Sequence, residues 1–305
     1  MDEPSPRNGT GRFAKHFSGG RMSQVHATGQ VMSSCWAVRP ELTKQKGLKI
    51  IMQLDYGNWV RKKILLILGL LSLGIGALTF IPLGWLYQVI TTILFIVVFV
   101  SFLFPLYAYV MFSQSGGKLQ EKIYNLAIQH LGNGLQGKFI DIGAGNGVLA
   151  ISLAQKQENI EVTGVDYWGA DWEYSKSVCE KNAQMVKVEN RVHFQRGDAA
   201  LLDFADNTFD GAISNLTFHE VKSVPDKKLV LQEALRVVKS GGSFSFIDYF
   251  FDEKYYGAEI EFEKFLKNLN LAKYERKHLY DVIPLPVMLR HPKILGKVGI
   301  IFGKK

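Results

Sequence analysis

"GKFIDIGAGNGVLAISLAQK" (residues 137–156) sets a glycine-rich turn between an apolar run and a run of helical character. Which ligand that turn holds decides the rest of the reading. A P-loop needs GxxxxGK[ST], whose lysine reaches the phosphates. No Lys-Ser or Lys-Thr pair follows Gly147, so that reading fails. A dinucleotide loop needs GxGxxG or GxGxxA, which Gly145, Gly147 and Ala150 match by letter, but late relative to the strand. The third arrangement is Asp141-Ile142-Gly143-Ala144-Gly145-Asn146-Gly147, or [DE]-x-G-x-G-x-G, at the end of a first strand. Glycines there let a ligand lie close against the backbone. An acid before them can serve an ammonium group, directly or through water.

Outward from this turn, short apolar runs alternate with helical ones. "IEVTGVD", "RVHFQRGD", "FDGAISNLT" and "GGSFSFIDYF" read as strands. "DWEYSKSVCEKNAQMV" and "PDKKLVLQEALRVVK" read as helices, and a final strand is expected over 296–303. Such alternation indicates an α/β domain with a parallel sheet covered on both faces.

With the landmarks that follow, the glycine turn resembles motif I of class I S-adenosylmethionine-dependent methyltransferases. The resemblance spans roughly residues 119–250 and implies a Rossmann-like sheet that binds S-adenosyl-L-methionine. It implies that Asp141, Gly143, Ala144, Gly145 and Gly147 form the cofactor loop. Asp166, closing the second strand, would accept hydrogen bonds from the ribose hydroxyls. Asp198 and Ala199, after the third strand, would meet the adenine. "ALRVVKSGGSFSFIDY" resembles the family's passage into strand five, with Ser240 in place of a common proline. Asn215, after strand four, joins the cofactor set. A departure is "YWGADWEYSKS" after Asp166, with two tryptophans. Tyr167 or Trp168 either packs on the adenine or ribose, or covers the sheet edge.

The passage "SNLTFHEV" (214–221) lines the acceptor side in this fold. It lacks NPPY, which disfavours amino methylation of adenine or glutamine amides, and it lacks the Pro-Cys of cytosine-C5 enzymes. It looks closer to the small-molecule and quinone-type branch. His219 is the candidate catalytic base or acceptor-facing group, with Glu220 beside it; otherwise His219 caps a helix and Glu220 pairs at the surface. Asp248 and Tyr249 are expected to face the acceptor too. No metal site is expected.

The formal charge is +8, but residues 1–63 hold 11 basic and 4 acidic residues, residues 64–117 hold none, and residues 118–305 hold 25 and 24. The neutral C-terminal part lacks a basic stripe for a phosphate backbone, so no nucleic-acid partner is expected. The two cysteines, Cys35 and Cys179, have no paired spacing and fit a reducing compartment.

No charged residue falls between Lys63 and Lys118. A run this long suits two membrane spans, near 64–82 and 86–112, broken at "PLG" and with Pro105 kinking the second. A buried hairpin of a soluble protein is the alternative, and a cleaved signal peptide starts earlier and is shorter. "RKK" at 61–63 and Lys118 with Lys122 place both ends of the hairpin in the cytoplasm. The expected organisation is a disordered basic extension (1–51), a membrane hairpin (52–117) and a methyltransferase domain (118–305). "MQLDYGNWVRKK" from Met52 reads as a natural start. Segment 280–296 is either a lid near the bilayer that admits a lipophilic acceptor or an ordinary helix and hairpin packing over the final strand.

The leading expectation is an integral-membrane methyltransferase, plasma-membrane bound with its catalytic domain in the cytoplasm. Its acceptor would be small and lipophilic or membrane-associated, such as a quinone, phospholipid headgroup or isoprenoid. The alternatives are a soluble small-molecule acceptor with the hairpin only as anchor, or a non-catalytic cofactor-binding membrane module. The oligomeric state is left open.

Overall fold

The computed structural model describes residues 54–55, 57–169 and 174–305. The basic arm of 1–51, the start at Met52, Cys35 and Trp172 lie outside the described residues.

Two apolar helices come first, α1 (Lys62–Leu78) and α2 (Trp85–Phe112), packed side by side. They approach at small residues: an added Cβ would lie 3.1 Å from the Phe95 ring at Gly76, and 3.4 Å from the Phe102 ring at Gly69. Helix α1 ends before the expected residue 82. The Thr79 hydroxyl donates to the Gly76 carbonyl at 2.7 Å, and Ile81 precedes Pro82, a position that disfavours helical backbone. Pro105 stays within α2. Among the described residues, α2 is the one helix long and apolar enough to cross a membrane. At 17 residues, α1 is roughly 25 Å long.

The remaining elements are α3 (Leu119–Leu131), β1 (Gly137–Ile142), α4 (Val148–Lys156), β2 (Ile160–Asp166), α5 (Lys176–Met185), β3 (Val192–Arg196), β4 (Phe209–Asn215), α6 (Lys227–Arg236), β5 (Val238–Asp248), α7 (Glu253–Tyr256), α8 (Glu259–Lys267), β6 (Lys273–His278), α9 (Leu279–Val282) and β7 (Gly299–Lys304). The sheet runs β3-β2-β1-β4-β5-β7-β6. Neighbours are parallel from β3 to β5, and β7 runs antiparallel between β5 and β6. Strand β1 pairs β2 on one side and β4 on the other, so the winding reverses there. Ligands in open α/β sheets bind beyond the strand ends at such a switch point.

Alternation along β1 serves two cores. Phe139 packs with α3, α4, α5 and the last turns of α2, where Ala108 and Phe112 are buried. Ile140 and Ile142 pack on the other face with α6 and α8. Local capping sets several helix starts: Ser175, Asp226 and Asp252 accept from backbone N–H groups of α5, α6 and α7. The helix expected from "DWEYSKS" begins only at Lys176, under the Ser175 cap.

The C-terminal region departs from expectation in two places. Strand β6 was not anticipated, and β7 starts at Gly299 because residues 291–298 turn instead. Segment 280–296 is a packed cover: Leu285, Leu289 and Leu295 are buried, while Val287 and Met288 face outward.

Candidate active site

The turn after β1 is built by hydrogen bonds from β2. The N–H groups of Gly143 and Ala144 both donate to the Val165 carbonyl, at 2.7 and 3.1 Å. Gly143 has φ +83°, and a Cβ there would strike the Thr217 side chain. Asp166 then holds the loop from below. Its Oδ2 accepts from the Gly145 N–H at 2.8 Å and its Oδ1 from the Trp168 N–H at 2.7 Å. The Gly145 carbonyl accepts in turn from the Trp168 indole at 2.8 Å and the Cys179 thiol at 3.1 Å. Burial raises the Asp166 carboxyl, and the N–H groups of Trp168, Gly145 and Tyr167 pull it back. Trp168 adopts φ +44°, a left-handed backbone uncommon for a bulky residue, held by these two bonds.

A cavity of about 750 Å³ opens over this loop. Gly143, Ala144, Gly145, Asp166, Tyr167, Asp198, Ala199, Asn215 and His219 all line it, so most of the expected site converges. Asp141 and Gly147 do not. Asp141 is fully buried behind the loop, where its Oδ2 accepts from the Ala150 N–H of α4 at 3.0 Å and its Oδ1 has no partner. Burial pushes its carboxyl up to about 7; the Ala150 N–H opposes this and the Asp166 charge adds to it. Gly147 caps α4 at φ +77°, packed under the Phe194 ring. Two further buried acceptors on the cavity wall lack partners, Asn215 Oδ1 and Asn146 Oδ1. Buried polar atoms are normally paired, so these mark places for a polar ligand or water. Asn146 was not anticipated, though it stands inside the glycine motif.

Trp168 and Tyr167 sit in different surroundings. Trp168 packs against the core and braces the loop. Tyr167 is exposed and carries the Arg196 guanidinium 4.9 Å from its ring centre.

On a 3₁₀ turn after β4 (Phe218–Glu220), His219 reaches the cavity. Its Nδ1 lies 3.0 Å from Asp248 Oδ1, and its Nε2 lies 3.5 Å from Glu220 Oε1. Asp248 was expected to face the acceptor; it is fully buried behind His219, held by its Tyr249 neighbour's N–H at 2.6 Å. Tyr249 does line the cavity, with its ring 4.6 Å from that of His219. Burial pulls the His219 imidazole down, but the Asp248 and Glu220 carboxylates outweigh it and bring it to about 9.

A latch ties the chain before α1 to this site. Asn182 of α5 accepts from the Asp55 N–H at 3.0 Å and donates to the Asp55 carbonyl at 3.1 Å and the Asn146 carbonyl at 3.0 Å. Replacing Asn182 with leucine leaves the buried Asn146 carbonyl unsatisfied, at a cost of about 1–3 kcal/mol, and frees the exposed Asp55. The expected result is faster limited proteolysis between residues 54 and 61 and a lower unfolding midpoint. Unchanged cleavage would remove the latch.

Residues 136–280 match the family model described as a methyltransferase domain. A demethylmenaquinone methyltransferase of Desulfitobacterium hafniense is 32% identical over 110 residues, 36% of this chain and 41% of that protein. A phosphatidylethanolamine N-methyltransferase of Cereibacter sphaeroides is 29% identical over 140 residues, 46% of this chain and 64% of that protein. An arsenite methyltransferase of Aquipseudomonas alcaligenes is 33% identical over 119 residues, 38% of this chain and 33% of that protein. The chain thus spans less than two-thirds of the length of each of these relatives. Residues 136–280 thus match a methyltransferase domain, and the glycine loop expected to hold its cofactor lies on the cavity wall.

Proposed function

We propose that the protein is a membrane-anchored methyltransferase whose acceptor is small, lipophilic and loses a proton on methylation. The observation that carries this reading is one cavity lined by both the glycine loop and His219, with Asp248 buried behind the imidazole. The glycine loop on the cavity wall and the unpaired oxygens of Asn215 and Asn146 fit S-adenosylmethionine. When bound, that cofactor supplies an activated methyl group on a sulfonium. Asp166 would hold its ribose, and Asp198 with the Ala199 N–H its adenine. Asp141 would meet the ammonium through its unpaired oxygen, by way of water. His219, oriented by Asp248, would take the acceptor's proton at Nε2 as the new bond to carbon forms.

The membrane part rests on the hairpin. Leu66, Leu70, Leu73, Ile90, Ile93 and Val97 all face outward, a far larger apolar surface than a soluble monomer exposes. Charges flank the run on both sides, which supports both ends lying in the cytoplasm. Anchoring confines the enzyme to the surface where a lipophilic acceptor is concentrated. Two relatives are named for lipid-like acceptors, a demethylated menaquinone and phosphatidylethanolamine.

The test is methyl transfer by the full chain in nanodiscs, using radiolabelled S-adenosylmethionine and membrane extract. Label in the organic phase is expected. Label only in the aqueous phase would favour a soluble acceptor and leave the hairpin as an anchor. Cofactor binding without transfer to either phase would favour a non-catalytic module.

Asp141 makes a separate prediction. Its carboxyl is neutral below about 7 and ionised above. A cationic ammonium favours the ionised form. Cofactor affinity should therefore rise as pH climbs through 7, with a proton released on binding below it. Calorimetry in two buffers of different ionisation heat measures that proton. No proton release, or the same release from Asp141→Asn, would detach Asp141 from the ligand.

A further inference from the structure

Part of the cavity wall belongs neither to the glycine loop nor to the strand ends. Phe104, Pro105, Ala108 and Phe112 of α2 line it, with Trp59 from the chain before α1 and Leu295 from the C-terminal cover. The α2 positions share one helix face. Of the six side chains, only the Trp59 indole carries a polar atom. Its ring packs 5.0 Å from Phe112 and edge-on to Tyr124 at 5.9 Å. Ala108, the smallest of the six, is buried at the cavity wall.

The same helix continues away from the cavity as bare apolar surface. Leu86, Ile90, Ile93, Val100 and Leu103 are exposed, and no charge interrupts the run. From Trp85 to Phe104, α2 rises roughly 30 Å, about the thickness of a bilayer's hydrocarbon core. The apolar cavity wall therefore begins where the bilayer-length surface of α2 ends. A chain leaving the hydrocarbon along α2 would meet no charged side chain of that helix before the cavity.

We propose that this wall is the tail site of a membrane lipid. The acceptor's hydrocarbon chain lies against Phe104, Pro105 and Ala108, entering laterally from the bilayer, while its head reaches His219. The proposal deepens the membrane-anchored reading and rests on it. It also makes position 108 a determinant of specificity, since a larger side chain there fills the tail site. Each methylene seated in the wall should raise affinity about fourfold until the space is filled.

The test uses the full chain in nanodiscs of phosphatidylcholine and phosphatidylglycerol, with dodecanol carrying a mid-chain diazirine as probe. Irradiation should label Trp59 and Leu295 saturably, with excess plain dodecanol suppressing the label. Ala108→Trp should lower that labelling about tenfold or more, the equivalent of a tenfold weaker site. Ala108→Leu keeps the comparison if the tryptophan variant does not fold, and thermal unfolding on the same discs, without cofactor, reports folding. Labelling confined to outward residues such as Leu103 and Val110, or unsaturable labelling of Trp59, overturns the proposal. The two readings fail separately. Cofactor binding without saturable labelling sinks the tail site alone. Saturable labelling in a folded protein that binds no cofactor sinks the methyltransferase reading and leaves the lipid site standing.

Discussion

Replacing His219 with asparagine is expected to slow methyl transfer about 10²–10⁴-fold, the usual worth of a positioned general base. Asparagine is a better probe than alanine. Its amide can still donate to Asp248, whose buried carboxylate would otherwise lose a partner, but it offers no basic nitrogen toward the acceptor. Breaking a buried pair outright costs about 3–5 kcal/mol and would confuse a lost base with a damaged fold. The pH profile separates the roles further. With the imidazole held at about 9, only a small neutral fraction exists at pH 7. A general base then gives a rate that climbs with pH and levels near 9. Asp248→Asn should move that limb to lower pH, because the carboxylate that opposes the burial effect is gone. An imidazolium that only fixes an anionic acceptor gives the reverse slope above 9. Stability changes in a defined direction as well. The folded imidazole sits above its ordinary value of 6.5, so its contribution is complete below that value. It is lost as pH rises through about 9, and His219→Asn should remove this decline. A variant with full rate and an unchanged profile would reduce His219 to an anchor for the turn that carries it.

The parts of this site that could be read from sequence are those where local chain signals the need. The glycine turn, Asp166 at the end of β2 and Asp198 after β3 each follow a short apolar strand, and Gly143, Ala144, Gly145 and Asn146 of the motif reach the cavity wall, whereas the expected Asp141 and Gly147 do not. Those two look equivalent to their neighbours as letters. Strand alternation turns Asp141 toward α4, and Gly147 has already become a helix cap. Strand β6 was hidden for a different reason. "KYERKH" has no apolar alternation because it is an edge strand. Arg276 is nonetheless almost buried, stacked on Phe251 and Phe262 and paired with Glu259 and Glu263. Three of those partners lie on α8 and Phe251 follows β5, so the strand's own letters show none of them. The Asn182 latch joins residues 127 apart in the chain. The uncharged run announced two helices, but not that the last turns of α2 would leave the apolar surface and wall a cavity. Which face of a uniformly apolar helix is used depends on what packs against it, and hydropathy carries no such information.

Asp166→Ala should weaken S-adenosylmethionine binding about 10²–10⁴-fold. The argument has two layers. Asp166 is expected to accept from two ribose hydroxyls, and hydrogen bonds to a charged group are worth about 1.5–3 kcal/mol each, or 3–6 kcal/mol together. It also carries structure, since its two oxygens hold the N–H groups of Gly145 and Trp168. Loss of the carboxylate frees the glycine loop and releases Trp168 from a left-handed backbone that this bond helps to hold. Asp166→Asn distinguishes the layers. Both carboxylate oxygens already face donors, so an amide nitrogen must oppose either Gly145 or Trp168, and the loop should loosen almost as much as in the alanine variant. Thermal unfolding without cofactor reads the loop, and calorimetry reads the ligand. If both variants lose stability but bind cofactor like the wild type, Asp166 is a brace and the ribose lies elsewhere. If affinity falls far more than stability, the carboxylate is a ligand. Acid then gives an independent check. Burial raises the carboxyl, so affinity should weaken on acidification at a higher pH than an ordinary aspartate would allow. Protonation leaves one oxygen a donor that the two backbone N–H groups and the ribose cannot all accommodate.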